Sequence, residues 1–420
     1  MRTALAAALL VSALPGLAFA QAEDVVVIRA GKVLTMNAQD EVIDHAVVLV
    51  RGGKIVAVGP ADRVAVPPGA REVDARDAWL LPGFIDCHNH TAGSLSDLND
   101  GVYLTNPGLR TLDTVAPENE NLKVALAGGV TSVLLIPGSG NNMAGFGTVT
   151  RTAGRTQADM VLRAPGSIKV AQAGNPERYW FGVGRAYMNW NLGQTLEKAR
   201  AYHAGWSAWE EAKALADEGK GPPPPPPPPL DLAWEDFRAL FARRFPASVH
   251  TQMFQVVNKT ITMLGDRFGL RVVLDHSTFD GFKNARLVQE RPEIVTICGP
   301  RQYYFDRAEG RIVGVAARWM ENGLREVGIN TDAPVVPQEE LTLQAALGCR
   351  LGLDPYQALR GLTIVPARAL MIDGALGSIE VGKDADLAVW TGDPLDPRRH
   401  CRLTIVKGQV VYDAGQGRRF

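Results

Sequence analysis

The sequence predicts an α/β fold: a (βα)8 TIM barrel carrying a small composite β-sandwich built from the N- and C-terminal segments. Three observations carry this expectation. Residues 81–376 alternate short buried-type strands with helical stretches, the pattern of βα units around a parallel sheet. Residues 21–80 and 377–420 read as short β-branched runs broken by glycine turns, and neither segment has enough strands to bury a face alone. The 420 residues are 46% hydrophobic, enough for a sizeable core, and 44 basic side chains balance 45 acidic ones. The balance excludes the chain-wide cationic field that nucleic acid would need, and the apolar content excludes intrinsic disorder.

The chain start is expected to lie outside that fold. Residues 1–20 read as a signal peptide: Arg2 supplies the positive charge, 4–14 the apolar run, and Ala18-Phe19-Ala20 the small residues before cleavage after Ala20. The run is too short to span a bilayer, so no membrane insertion is expected, and the mature chain is expected to be periplasmic or secreted. In the composite domain the strand candidates are 25–28, 46–50, 54–58, 386–390, 404–406 and 409–412. In the barrel they are 84–86, 130–136, 167–171, 247–249, 271–274, 294–297 and 327–330, with 160–163 as the eighth.

An insertion at about 194–246 interrupts the barrel. Leu196, Ala199, Tyr202, Trp206, Trp209 and Leu215 have helical spacing, which predicts a helix over 194–218. Eight prolines, 222–229, then form a polyproline II rod of about 25 Å at ~3.1 Å per residue, and a second helix is predicted over 234–245. The rod reads as a stiff connector and carries no catalytic weight.

The chemistry gathers at strand ends. Phe84-Ile85-Asp86-Cys87-His88-Asn89-His90 is an apolar strand ending in H-x-H, and alternate strand residues face the same way. Only seven histidines exist, and two more follow strands: His250 in Ala-Ser-Val-His and His276 in Val-Val-Leu-Asp-His. Asp332 ends Gly-Ile-Asn-Thr-Asp. Strand C-termini of a (βα)8 barrel converge on one face, where four neutral imidazoles and a carboxylate suit zinc or a similar transition metal. His45, His203 and His400 read as surface residues. Cys87, Cys298, Cys349 and Cys401 form no C-x-x-C pair, and their spacing assigns no disulfide. Gly138-Ser139-Gly140-Asn141-Asn142 lacks the ending of a phosphate loop and reads, within 137–148, as a loop on the substrate side.

These blocks resemble the metal-dependent amidohydrolase superfamily, in particular its imidazolonepropionase-like exported members. The resemblance also takes in Asn330-Thr331-Asp332-Ala333-Pro334 and the run 377–387 that re-enters the small sheet. It implies that His88 and His90 bind the more buried metal, that His250 and His276 bind an outer one, and that Asp332 binds metal and shuttles the proton. One or two divalent ions are implied, with zinc foremost. Lys169 is well placed to be a carboxylated bridge, while a plain buried lysine and a single-metal site are the alternative. Gly174 stands where related sequences carry a bridging glutamate, and Glu177 is a weaker substitute.

The implied activity is hydrolysis of a non-aromatic C–N bond in a small amide or cyclic amide, with Asp332 moving the proton from water to the leaving nitrogen. An Xaa-Pro or other dipeptidase, a ring deaminase and a non-catalytic metal- or ligand-binding protein are the alternatives. Arg301, Tyr303 and Tyr304 follow a strand end, where substrate contact and simple packing are both open.

Overall fold

The computed structural model describes residues 25–91, 100–117, 119–172 and 174–416; the expected signal peptide, 1–20, lies outside them. Four strands open the described chain: β1 (Val25–Leu34), β2 (Val42–Arg51), β3 (Lys54–Pro60) and β4 (Arg71–Pro82). The middle contributes β5 (Phe84–Asn89), β6 (Val130–Leu135), β7 (Met143–Arg151), β8 (Val161–Ala171), β9 (Ala247–Thr251), β10 (Val272–His276) and β11 (Ile294–Cys298). After them come a hairpin, β12 (Tyr303–Asp306) with β13 (Arg311–Gly314), and the short β14 (Gly328–Ile329). The chain closes with β15 (Leu387–Trp390), β16 (Cys401–Val406) and β17 (Gln409–Asp413).

Eight strands make one sheet in the order β14-β11-β10-β9-β8-β7-β6-β5. Its two edges meet where Asn89 bridges Ala333 and the His90 N–H donates to the Ala333 carbonyl at 2.8 Å, so the sheet is an almost closed, TIM-like barrel. Ile85, Cys87, Leu134, Ile136, Val149, Val273 and Ile297 cluster with the helix Ile364–Ala369, which packs on β5, β11 and β14. Alternate residues such as Ile168, Val249, Val272 and Leu274 belong instead to the larger cluster shared with the surrounding helices. This two-sided burial explains the near-continuous apolar strands seen in the sequence.

The eighth strand differs from expectation. Residues 160–163 lead into the long β8, and the additional strand is β7, which the sequence reading treated as loop. β7 runs antiparallel to both β6 and β8, so the barrel is not wholly parallel. Two glycines hid it. A Cβ on Gly145 would lie 2.7 Å from the Leu109 carbonyl oxygen, and one on Gly147 would lie 2.4 Å from the Ile136 side chain. Close approach of other chain segments therefore requires residues that carry no strand signal.

The end segments meet in one seven-stranded sheet, order β17-β16-β15-β4-β1-β2-β3, rather than in two separate layers. The sheet curls on itself: the Ala385 N–H donates to Gly53 at 2.8 Å and the Ile55 N–H to Lys383 at 2.9 Å. Val26, Ile28, Val48, Ile55, Leu387, Val389 and Ile405, drawn from both chain ends, share the enclosed core. The curl buries a face that the expected sandwich would have buried between two sheets.

The insertion helix is longer than its periodicity suggested, spanning Arg185–Asp217, and the second is shorter, Glu235–Phe241. The first nine residues are held by residues flanking β7 and β8: Asn189 accepts from Gln172 at 2.9 Å and Asn191 donates to Asn142 at 2.9 Å. Farther along, the Trp209 indole donates to the Pro225 carbonyl at 2.9 Å, laying the proline rod against the helix. All four cysteines are free thiols. Among the described residues no helix is long and apolar enough to cross a membrane.

Candidate metal centre at the strand ends

Each of the six residues singled out from the sequence reaches the same buried volume. His88 lies in β5 and His90 one residue beyond it, Lys169 in β8, His250 in β9, His276 at the end of β10, and Asp332 three residues after β14. The His88 Nε2 is 2.9 Å from Lys169 Nζ and 3.4 Å from Asp332 Oδ1, and His90 Nε2 is 3.2 Å from the same oxygen. The His276 ring centroid lies 4.4 Å from that of His88 and 4.2 Å from that of His250. Donor atoms of His88, His276 and Asp332 all fall within 4.8 Å of one another.

Local backbone geometry aims these side chains. His276, Ser277 and Asp332 have φ of 68°, 46° and 53°, the left-handed region that non-glycine residues enter at a cost. The His276 Nδ1–H donates to the Gly299 carbonyl at 2.9 Å, and the His90 Nδ1–H donates to the Ile136 carbonyl at 2.8 Å. The second bond leaves His90 Nε2 facing Asp332, and His276 Nδ1 lies 4.0 Å from Asp332 Oδ2. Gly299 has to be glycine, since a Cβ there would meet the Asn330 carbonyl oxygen at 2.3 Å.

Two carboxylates that sequence reasoning passed over surround the ligand set. Asp86, in β5, accepts from the His88 N–H at 3.0 Å, the Thr331 N–H at 3.0 Å, the Thr331 hydroxyl at 2.5 Å and the Gln338 amide at 2.5 Å. It thereby ties the H-x-H strand to the segment carrying Asp332. Asp275, in β10, accepts from the Ser248 hydroxyl, and its Oδ2 lies 3.3 Å from His88 Nδ1. Both stood inside motifs quoted for their histidines, which was the one available signal. Gln338 follows a loop and had none. Glu177 turns away: it accepts from the Gly174 N–H at 3.2 Å and from Arg185 at 2.9 Å, capping the helix Asn175–Tyr179.

Burial decides the protonation of the cluster. It drives the His88 and His250 imidazoles well below their usual range, helped by Lys169 and His276 respectively. His276 is pushed down to about 4 by burial, against the pull of Asp332. Burial also raises the Asp332 carboxyl, but His276, His90 and Lys169 outweigh it and leave the group below its ordinary value. The result is neutral imidazoles beside an ionised carboxylate, the forms that bind a divalent metal. His88 Nδ1, His250 Nδ1 and His276 Nε2 are buried without a hydrogen-bond partner, a costly state in a polar cluster unless a cation completes it. The donor set fits zinc or a similar ion.

Other expectations resolve by position. His45 and His400 are exposed, and His203 stacks on Phe241 at 5.9 Å within the insertion. Tyr304 packs edge-on against Phe279 at 5.9 Å, while Tyr303 is exposed on the β12–β13 hairpin. A cavity of about 850 Å³ opens at the opposite end of the barrel, lined by Arg271, Glu326, Arg360 and Arg368 among others. It holds no histidine or cysteine, so volume does not mark the chemistry here; the converging donors do.

Several known proteins resemble the chain. The family model described as "Amidohydrolase family" matches residues 271–411. The "Amidohydrolase tasK" of Hapsidospora irregularis is 28% identical over 400 residues, covering 83% of this chain; the chain spans only 38% of that protein's length. An imidazolonepropionase of Sphingopyxis alaskensis is 25% identical over 389 residues, covering 87% of this chain and 91% of its own. Among solved structures, an amidohydrolase from Thermotoga maritima superposes with a TM-score of 0.78 at 27% identity, covering 92% of this chain and 100% of its own. A putative prolidase from Bifidobacterium longum shares the fold, with a TM-score of 0.56 at 19% identity over 93% of this chain and 95% of its own.

Proposed function

Because the chain belongs to the amidohydrolase superfamily and is a hydrolase of C–N bonds, we propose that it opens a non-aromatic amide or cyclic amide in a small molecule. In this reading His88, His90, His250, His276 and Asp332 hold a divalent metal, zinc by donor type, with Lys169 beside them. One observation supports the reading above all: buried histidines, three of them with a ring nitrogen that lacks a hydrogen-bond partner, gather around one ionised carboxylate, with His88 Nε2 3.4 Å and His90 Nε2 3.2 Å from Asp332. A bound divalent cation would supply Lewis acidity and a deprotonated water near neutral pH.

The protein's own residues do the rest. The Ile136 and Gly299 carbonyls hold His90 and His276 in a single tautomer. Asp332, whose side chain is 16% exposed, is the one member of the cluster open enough to exchange a proton with an incoming molecule. It accepts the proton of the attacking water and delivers it to the leaving nitrogen. Export belongs to the same proposal, resting on residues 1–20, and N-terminal sequencing of the mature chain is expected to begin at Gln21.

The test is metal analysis of the purified chain together with an amide, lactam and dipeptide panel. One or two zinc ions per chain are expected, with hydrolysis lost on chelation and restored by zinc. His88→Ala is expected to lose both metal and turnover. A metal-replete protein that hydrolyses nothing on the panel would overturn the reading, as would ammonia release from purine-like rings as the sole activity.

A further inference from the structure

Asp275 has no packing reason to be where it is. In β10, Val272 and Leu274 join the cluster shared with the helices, whereas Val273 joins the cluster of Ile85, Cys87, Leu134, Ile136 and Ile297. Strand alternation puts Asp275 on the side of Val273, inside the barrel and beneath the ligand cluster. Its exposure is 0%, on a strand whose other residues ahead of His276 are valine and leucine. An ionisable group at such a place costs several kcal/mol unless neighbours compensate.

Its contacts say what it faces. The Ser248 hydroxyl donates to Oδ2, fixing the plane of the carboxylate. The same oxygen lies 3.3 Å from His88 Nδ1. His88 Nδ1 has no hydrogen-bond partner, and the Asp275 carboxylate is the acceptor beside it. The comparison with the neighbouring histidines is direct. His90 and His276 each present Nδ1–H to a backbone carbonyl, those of Ile136 and Gly299. His88, the most enclosed of the four with Nε2 turned to Lys169 and Asp332, has a carboxylate in the position where the others have a carbonyl.

We propose that Asp275 is the positioning residue of His88, accepting its Nδ1–H so that Nε2 is held toward the metal and made more basic. This rests on the metal-dependent reading above. A carboxylate is a stronger acceptor than a carbonyl, and the outer partners of ligating histidines are worth about 10–100-fold in metal affinity or activity. The short rotation needed, from 3.3 Å to hydrogen-bond distance, is what occupation of the cluster by a cation would bring about.

The experiment measures zinc affinity by chelator competition for the wild-type chain and Asp275→Asn, with melting temperatures of both metal-free proteins. The asparagine preserves shape and removes the charge. Expected is a zinc Kd about 10–100-fold weaker with the metal-free melting temperature held, and a shifted absorption spectrum for the cobalt-loaded variant. An unchanged Kd and cobalt spectrum would overturn the role. Wild-type protein that takes up no zinc would strike the metal-dependent reading itself, and so is distinguishable from failure of Asp275 alone. A zinc-loaded crystal structure of the wild-type chain gives a check that does not depend on the variant folding. His88 Nδ1 is expected within about 3 Å of Asp275. Asp275 bound directly to the metal, or an Nδ1 beyond hydrogen-bond reach, would overturn the proposal.

Discussion

The two ends of the barrel bury charge in opposite ways. At the N-terminal end Arg151, 4% exposed and last in β7, donates Nε to Asp386 at 2.8 Å and Nη2 to Asp384 at 2.6 Å. Asp386 Oδ1 also accepts from the Lys407 N–H at 2.8 Å, and Lys54 reaches Asp384 at 2.5 Å. Every carboxylate there has partners, and the cluster fastens the curled sheet to the barrel. At the C-terminal end the buried imidazoles keep nitrogens without partners, and Asp275 keeps an oxygen without one. Saturated charge fastens the two parts of the molecule, whereas the partnerless groups at the other end are, on the proposed reading, completed by a metal ion. The fold class leads one to expect this division of ends between stability and chemistry.

The sharpest way to break the comparison is at Asp332. Asp332→Asn keeps the shape and removes the proposed base, so kcat is expected to fall by about 10²–10⁴-fold. The melting temperature of the metal-free chain should hardly move, because no part of the fold depends on that charge alone. A large loss of stability with retained turnover would put Asp332 in the same class as Asp386. Steady-state kinetics and a thermal melt on the same preparation decide it.

How much of this was legible beforehand differs between the two ends for physical reasons. The end with the candidate metal centre was readable because histidine is rare in this chain and those gathered there follow strand-like runs: His88 and His90 after Phe-Ile-Asp-Cys, His276 after Val-Val-Leu-Asp. Asp86 and Asp275 sat in those same runs, yet a single carboxylate inside a buried strand has no periodicity to announce whether it packs, pairs or positions. The stabilising end was not readable. Arg151 meets Asp384 and Asp386 across more than 230 residues, and nothing local to either partner signals the encounter. Strand pairing shows the same limit: alternation announced strands at both chain ends but not that β4 would run parallel to β1 and antiparallel to β15. β7 was missed because its glycines answer to neighbours distant in sequence.

At the stabilising end, Arg151→Met should leave Asp386 buried without its cation. Breaking a buried pair from one side costs about 3–5 kcal/mol. Denaturant unfolding is expected to show that loss, with kcat/KM of the folded fraction within about twofold of wild type. A fall in kcat/KM with unchanged stability would mean that the seam communicates with the site, and the clean division of ends would fail.

The smallest effect is expected at Glu326, just before β14. Its carboxylate accepts from Arg368 at 2.7 Å and from Arg360 at 2.5 Å, and Arg360 also pairs with Asp40 of the β1–β2 turn. Burial raises the Glu326 carboxyl, but the hydrogen bonds and charges of Arg360 and Arg368 outweigh it, leaving the group below its ordinary value of 4.5. A folded-state value below the unfolded one means that the charge stabilises fully above pH ~4.5, and that this contribution disappears as pH falls through the folded-state value. Glu326→Gln keeps the size and an acceptor, so its cost at neutral pH is expected to be about 1 kcal/mol. Unfolding of both proteins from pH 7 down to pH 3 should show the wild-type advantage shrinking only in the acid part of that range. A constant difference across the range would mean that Glu326 acts through shape rather than charge. The N-terminal end would then owe its stability to packing, with charge saturation there a consequence of burial rather than its purpose.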